Sequence, residues 1–415
     1  MLTRDGRLRV AVRPSFFPGA SGVSGGIENY VQGLASGLSA LDGEDRYEFV
    51  GTGLQRDALA PYLGGATSFV TIPDALRSSQ VLVRFMATRP GRAVVALRQK
   101  ARARSSATPA PSPEVVEQDT YSVVHYPAPS GELTSHPSIY QPWDLQHLHF
   151  PEFFRPEQLR GREVWRICSE RATYVLVAST FVRDDVIAAY DVEPDRVAVV
   201  PPGVPSALHA TPPNAGLGDV PFALYPAQSW KHKNHVRMLE ATALLKARGT
   251  EVPVVCPGPP NPHQREVERR AHDLGLDSVV RFPGYVTDRE LAALYQQARC
   301  LVFPSLFEGF GFPVLEAFAA GLPVTCSSTT SLPELAGDAA VLFDPTDVEA
   351  MAAAIERIWT DDALRADLVV RGHQRAATYT WDHLARSCRA LYRAAARQSV
   401  DATDAMLLAA AGVSS

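Results

Sequence analysis

Short apolar runs of strand length alternate along the chain with longer stretches in which apolar residues recur at helical spacing. In the first half, Leu8–Val12, Tyr47–Val50, Ser68–Ile72, Tyr121–His125 and Tyr174–Ala178 read as strands, and Val197–Val204 closes the series. Ile27, Tyr30, Val31, Leu34 and Leu38 mark one helix face, and Phe181–Ile187 a second helix. The Pro-, Gly- and Asn-rich stretch Pro205–Pro221 reads as a linker. The alternation then restarts, with strands at Phe222–Tyr225, Val252–Cys256, Val279 onward, Cys300–Phe303, Pro323 onward and Ala340–Phe343. Helices are expected at Val236–Ala247, Val314–Ala320, Leu332–Ala336, Val348–Trp359 and Ala363–Ala377. Trp381–Ala396 is expected to cross back to the first domain, and the tail from Gln398 to be loosely ordered. The pattern predicts an α/β chain of two doubly wound domains facing a cleft. The first spans 1–208 with the returning helix 381–397, the second spans 209–380, and 398–415 is the tail.

One stretch, Phe303–Val324, concentrates the candidate chemistry. A buried strand ends at Pro304, Glu308-Gly-Phe-Gly-Phe312 makes a tight loop, and Pro313 suits the first turn of a helix. Free N–H groups and the positive end of the helix dipole make such a junction an anion site. Glu308 and Glu316, eight residues apart, flank it. A carboxylate repels phosphate but accepts from sugar hydroxyls, so the combination suggests a sugar joined to a phosphate. Lys231 and Lys233 sit just ahead of another helix N-terminus, the wrong end for stabilising a helix, so a bound anion would explain them. A basic surface turn is the plainer reading.

In the first half, Gly19–Val31 is a glycine-rich loop running into a helix, without G-x-G-x-x-G or a P-loop. A ligand-free turn is its default reading. Ile139–Phe154 is unusually polar and aromatic, and loops at the carboxyl ends of parallel strands are where α/β sheets bind ligands. His147 is a candidate there to lend a proton or hydrogen bond, with Asp144 orienting it; a hydrogen-bonded structural histidine is the alternative. His147 and His149 lack the supporting carboxylate or cysteine spacing of a metal site.

Composition narrows the class. The chain has 415 residues, 46% of them hydrophobic and 20% charged, enough for two well-filled cores. A net charge of −5 argues against a dedicated nucleic-acid binder. Five scattered cysteines without a C-x-x-C pair suit reduced thiols, the charged first nine residues do not suit a signal peptide, and no apolar run reaches ~20 residues. A cytoplasmic protein is expected. Residues 77–104 carry eight Arg and Lys interleaved with apolar residues, ahead of an Ala/Pro/Ser-rich run. They read either as a basic amphipathic surface for anionic lipid at the inner membrane face, or as a solvated helical pair.

Glu308 and Glu316 with Glu-Gly-Phe-Gly between them resemble the E-x7-E motif of the retaining glycosyltransferases of family 4, and the resemblance covers almost the whole chain. It implies the GT-B fold: two Rossmann-like domains facing a central cleft. It implies a nucleoside-diphosphate-sugar donor such as GDP-mannose and a glycan or lipid-linked acceptor, in the manner of mannosyl- and rhamnosyltransferases of bacterial polysaccharide pathways. Residue by residue it implies that Gly25 and Gly26 close over the donor diphosphate, and that Lys233 grips it together with the amides of Gly309, Phe310 and Gly311. Glu308 would hold the donor sugar, Glu316 the ribose, and main chain around Tyr285 and Val286 the base. Two positions depart from the pattern. Gln228 falls where the family's arginine is usual, with Lys231 available to compensate, and Trp143 stands where many members have a histidine before Asp144. His147 is then the first candidate for the catalytic histidine and His149 the second. The resemblance implies front-face attack in which the leaving phosphate helps deprotonate the acceptor. No Asp-x-Asp pair occurs, so no metal or other cofactor is expected. The competing classes are a sugar-nucleotide epimerase or phosphorylase of similar architecture, and a catalytically idle binding module.

Overall fold

The computed structural model describes residues 7–14, 16, 25–72, 110–111, 115–117, 120–205 and 220–413. The basic segment 77–104 with its expected membrane contact, and most of the linker, lie outside the described residues. The first sheet has seven parallel strands: β1 (Arg9–Val12), β2 (Arg46–Gly51), β3 (Thr67–Thr71), β4 (Val123–Tyr126), β5 (Ser138–Tyr140), β6 (Tyr174–Val177) and β7 (Val197–Val199). Their spatial order is β3-β2-β1-β4-β5-β6-β7. The second sheet has six: β8 (Ala223–Leu224), β9 (Val254–Pro257), β10 (Val280–Gly284), β11 (Cys300–Phe303), β12 (Val324–Ser327) and β13 (Ala340–Phe343). It runs β10-β9-β8-β11-β12-β13.

Both sheets therefore reverse direction once, between β1 and β4 and between β8 and β11. In open α/β sheets ligands bind outside the carboxyl ends of the strands at such a switch point. The loops that leave β8 and β11 are the ones holding Lys233 and Glu308. β5 is a strand that sequence reading passed over: Ile139-Tyr140 is a short apolar pair among prolines and polar residues, too brief for a period to register.

The helix Trp381–Ala395 packs in the first domain, burying Leu384, Ala385, Cys388, Leu391 and Tyr392 with the helix Gly26–Ser39. The two helices touch closely because Gly33 and Gly37 present no side chain. A Cβ on Gly33 would lie 2.3 Å from the Trp381 ring, and one on Gly37 2.6 Å from the Trp381 carbonyl oxygen. All five cysteines are buried and free. Among the described residues, no helix is long and apolar enough to cross a membrane.

The tail corrects the expectation of loose order. Ala402–Ala410 is a helix capped by Asp401, and Leu408, Ala411 and Val413 are buried in the first domain's core. The N–H of Val199 donates to the carbonyl of Ala411, tying the tail to β7. Fully buried Asp404 accepts from Arg393, which also bonds Asp45. The apolar residues that anchor this segment are few and dispersed, so only the surface that receives them reveals their role. Removing one partner of a buried ion pair costs about 3–5 kcal/mol. Asp404→Ala is thus expected to lower the melting temperature by several degrees, measurable by calorimetry, with little change in nucleotide affinity.

Candidate active site

The cleft between the domains holds a cavity of about 500 Å³, walled by the β8 and β11 loops on one side and by Gly25, Gly26, Asn29, Trp143 and Asp144 on the other. After β8 the chain makes a single turn, Lys231–Lys233, and Asn234 then adopts a left-handed conformation (φ 61°) before the helix His235–Ala247. Buried Asn234 donates to the carbonyls of Pro304 (3.0 Å) and Pro345 (2.8 Å). That clamp fixes the lysine turn against the β11 loop. Lys233 Nζ consequently lies 2.5 Å from Glu308 Oε1, with the Phe303 ring beneath it at 5.4 Å. The Tyr225 hydroxyl donates to the Lys233 carbonyl and anchors the turn from below.

The glycine loop is held through its carbonyls. The Ser331 hydroxyl bridges the carbonyls of Glu308 (2.9 Å) and Phe310 (3.0 Å), and Ser179 of the first domain donates to that of Gly309 (2.8 Å). The N–H groups of Gly309, Phe310 and Gly311 have no acceptor among the described residues. Gly311 has φ 110°, which favours glycine, and caps the helix Phe312–Ala319 with Pro313 in its first turn. The result is a row of free amides at a helix N-terminus beside a lysine, a strong anion site.

Glu316, on that helix, accepts from the Tyr295 hydroxyl at 2.6 Å. Burial pushes its carboxyl up to about 7, and the charge of Asp288 adds to the shift while the tyrosine bond opposes it. Asp288 opens the helix Asp288–Gln297 and joins Tyr285, Val286 and Leu291 at the far end of the cavity. Burial raises its carboxyl as well.

On the first-domain side, Asp144 accepts the Gln146 N–H at 3.0 Å. Burial raises its carboxyl, and that bond together with the Arg162 charge opposes the rise. Trp143 has φ 69°, donates from Nε1 to the Pro127 carbonyl and meets Tyr30 edge-on at 4.7 Å.

Four expectations are corrected here. His147 does not line the cavity. It is buried, with Nε2 3.5 Å from the Tyr190 hydroxyl and its ring edge-on to Trp165 at 5.5 Å. Burial and Arg162 push it down to about 4, so it is neutral at pH 7. The reason is local: after the left-handed Trp143 the chain enters the short helix Gln146–His149, which turns His147 inward. Nor does Asp144 orient it, since the carboxylate is engaged by Gln146. His149 is not a substitute, because it pairs with Asp185 at 2.8 Å and packs on Phe307. Lys231 is exposed and outside the lining, so it does not compensate for Gln228, which lines the cavity while accepting from Trp230 at 2.6 Å.

Sequence reasoning missed Asn234, Ser179, Ser331 and Asp288. Asn234 left the clearest trace, a short polar residue that tolerates left-handed geometry immediately before a helix. Glu334 was also missed: its carboxylate accepts the Thr180 N–H at 2.9 Å and the Thr180 hydroxyl, capping a first-domain helix from the second domain.

Residues 212–375 match the model of the family described as "Glycosyl transferases group 1". Among characterised proteins, the chain is 31% identical over 250 residues to the O-antigen chain mannosyltransferase B of Escherichia coli, covering 58% of this chain and 66% of that protein. It is 32% identical over 229 residues to the serotype-specific mannosyltransferase WbdA of Escherichia coli, covering 52% of this chain and 28% of that one. The chain thus spans just under two thirds of the first of these relatives and less than a third of the second. Its structure is similar to HepE of Anabaena in complex with UDP and glucose (TM-score 0.65, 15% identity, 93% of this chain and 100% of that one). It is also similar to sucrose-phosphate synthase of Thermosynechococcus elongatus (TM-score 0.66, 20% identity, 94% and 99%). The domain that holds both glutamates is thus similar to the group 1 glycosyl transferases, and the chain as a whole has the two-domain GT-B fold.

Proposed function

We propose that the protein is a retaining, family 4 mannosyltransferase that moves mannose from GDP-mannose to a glycan or lipid-linked acceptor in bacterial polysaccharide synthesis. The observation that carries this reading is the convergence at one point of Lys233, three acceptor-free amides and a helix N-terminus, with Glu308 and Glu316 on either side. Such a point stabilises charge as it develops on a departing diphosphate. In the proposed step the bond from the sugar C1 to the phosphate oxygen breaks, and the acceptor oxygen bonds C1 from the same face. The acceptor's proton passes to the leaving phosphate. Lys233 and the amides supply the counter-charge, so a metal is not required in this reading.

Asp288 supports guanine as the base. Guanine presents two adjacent donors, N1–H and the exocyclic amine, which one carboxylate accepts together. Uracil presents a single N–H between two carbonyls, which a carboxylate repels. The names of the mannosyltransferase relatives point the same way. The test is slow hydrolysis of the donor with EDTA present, following released nucleotide and the anomer of the free sugar by NMR. GDP-mannose should turn over in preference to UDP-glucose and release α-mannose first. Release of β-mannose first would refute retention.

Glu316 adds a pH signature. Its hydroxyl-accepting form is the carboxylate, which its raised pKa of about 7 removes below neutrality. Affinity for GDP-mannose, whose diphosphate does not titrate in this window, is expected to rise about tenfold from pH 6 to pH 8. Glu316→Gln should flatten the profile in a calorimetric titration. The stability of the ligand-free protein is expected to follow the reverse trend. The folded pKa lies above the unfolded one, so this group's contribution to stability is present at low pH and declines between about 4.5 and 7.

A further inference from the structure

The helix Pro156–Arg171 lies in the first domain, and its Trp165 meets the ring of His147, three residues beyond the cavity-wall Asp144. Two of its four arginines are ion-paired. Arg160 meets Glu157 at 3.9 Å, and Arg166 meets both Glu163 and Glu170. Arg162 has Gln158, Leu159, Trp165 and Arg166 at three and four residues' distance, none of them acidic. Among the described residues its guanidinium has no ion pair and no hydrogen bond. It lies 4.3 Å from the centroid of the Phe154 ring and 4.4 Å from that of Trp165.

Two aromatic faces fix the plane of a guanidinium and leave the N–H donors at its edge free. A half-buried cation held this way has lost hydration and gained no hydrogen-bonded partner, only the nearby charge of Asp144, and an anion taken in bidentate fashion would restore the balance. The direction in which it works is set by its neighbours. Phe154 ends the same segment that brings Asp144 to the cavity wall, and Phe150 of that segment meets Phe307 of the facing domain at 6.1 Å, so Arg162 stands beside the domain boundary; its charge is also felt at Asp144. It does not line the donor cavity, whose phosphate end is already served by Lys233 and the amides of the opposite wall. His147, pushed down to about 4, brings no second positive charge to the spot.

We infer that Arg162 is an acceptor-binding residue that takes a phosphate or carboxylate carried by the acceptor, so that this transferase acts on an anionic glycan or glycolipid. The inference rests on the reading of the chain as a sugar transferase. The anion would lie on the first-domain side of Asp144, leaving an acceptor hydroxyl to reach the donor across that residue. A purely structural role, as cement between Phe154 and Trp165, makes a different prediction: loss of stability without any change in preference for charge.

The test uses the full chain saturated with GDP, titrated separately with mannose 6-phosphate, methyl α-glucuronide and methyl α-mannoside. One of the two charged probes should bind at least tenfold more tightly than the neutral sugar, and which one it is separates phosphate from carboxylate. Arg162→Gln should abolish that preference, and Arg162→Lys should retain part of it, since a lysine keeps the charge without the fork. GDP affinity should be the same in all three proteins. If Arg162→Gln does not fold, the wild-type preference and its reduction in Arg162→Lys decide. A wild type that does not distinguish charged from neutral probes, or a Gln variant that keeps the preference, overturns the inference. Failure of GDP itself to bind would instead count against the donor-site reading, and the probes would then be titrated without it.

Discussion

Replacing Lys233 with methionine is expected to lower turnover by about 10²–10³-fold, the loss typical of removing one preorganised group that stabilises a developing oxyanion. Methionine keeps the length and packing over Phe303 while deleting the charge. Glu308 then loses its 2.5 Å partner, and the departing phosphates lose their counter-charge. Part of the wild-type charge of Lys233 is already engaged by Glu308, and donor binding must redirect it. The defect should therefore appear in kcat more than in KM. Steady-state kinetics with a melting curve check this; a folded variant with kcat within threefold of wild type would remove Lys233 from the chemistry.

The second large effect is expected at Gly309. A Cβ there would lie 2.4 Å from the carbonyl oxygen of Trp143 and 3.1 Å from the Asp144 Cβ, across the domain boundary. The same residue's carbonyl is held by Ser179. Gly309→Ala therefore forces the loop or the whole domain to retreat, and the three free amides move with it. Displacements of about 1 Å in a positioned site cost on the order of 10²-fold. Neither domain's core is touched, so the melting temperature should change little while kcat/KM falls. A variant with wild-type kcat/KM would mean that the close approach of Trp143 to Gly309 is not kept in the working enzyme.

The second prediction rests on a loop that was legible in the sequence, and the reason is physical. Phe303–Val324 encodes strand, turn and helix start through residues close together in the chain. The periodicity of the strands was equally local, which is why both parallel sheets could be anticipated. What escaped depended on distant partners. Ser179 reaches Gly309 across 130 positions, and nothing near Ser179 marks it as more than a helix cap. The tail helix is anchored on the helix Trp381–Ala395 and, far back in the chain, on β7. His147 was misplaced because the direction of a side chain on a one-turn helix follows from where that helix begins, and the backbone of Trp143 decides that. Asp288 was hidden by its own setting, since the neighbouring Thr287 and Glu290 form a capping box that explains an acidic first turn without a ligand.

The meeting of Lys233 and three acceptor-free amides in one cavity with Glu308 and Glu316 is the centre of the account, and direct nucleotide binding tests it. The measurement is a calorimetric titration of the protein with GDP, UDP, ADP and GDP-mannose at pH 8 with EDTA present, on wild type and Glu316→Ala. The account predicts that GDP and GDP-mannose bind without metal and more tightly than the other nucleotides, and that the alanine variant, still folded, loses most of that affinity. If no nucleotide binds, or if GDP binds the variant as well as the wild type, the donor site is not where these residues place it, and the chain is better read as a binding module that has lost its donor.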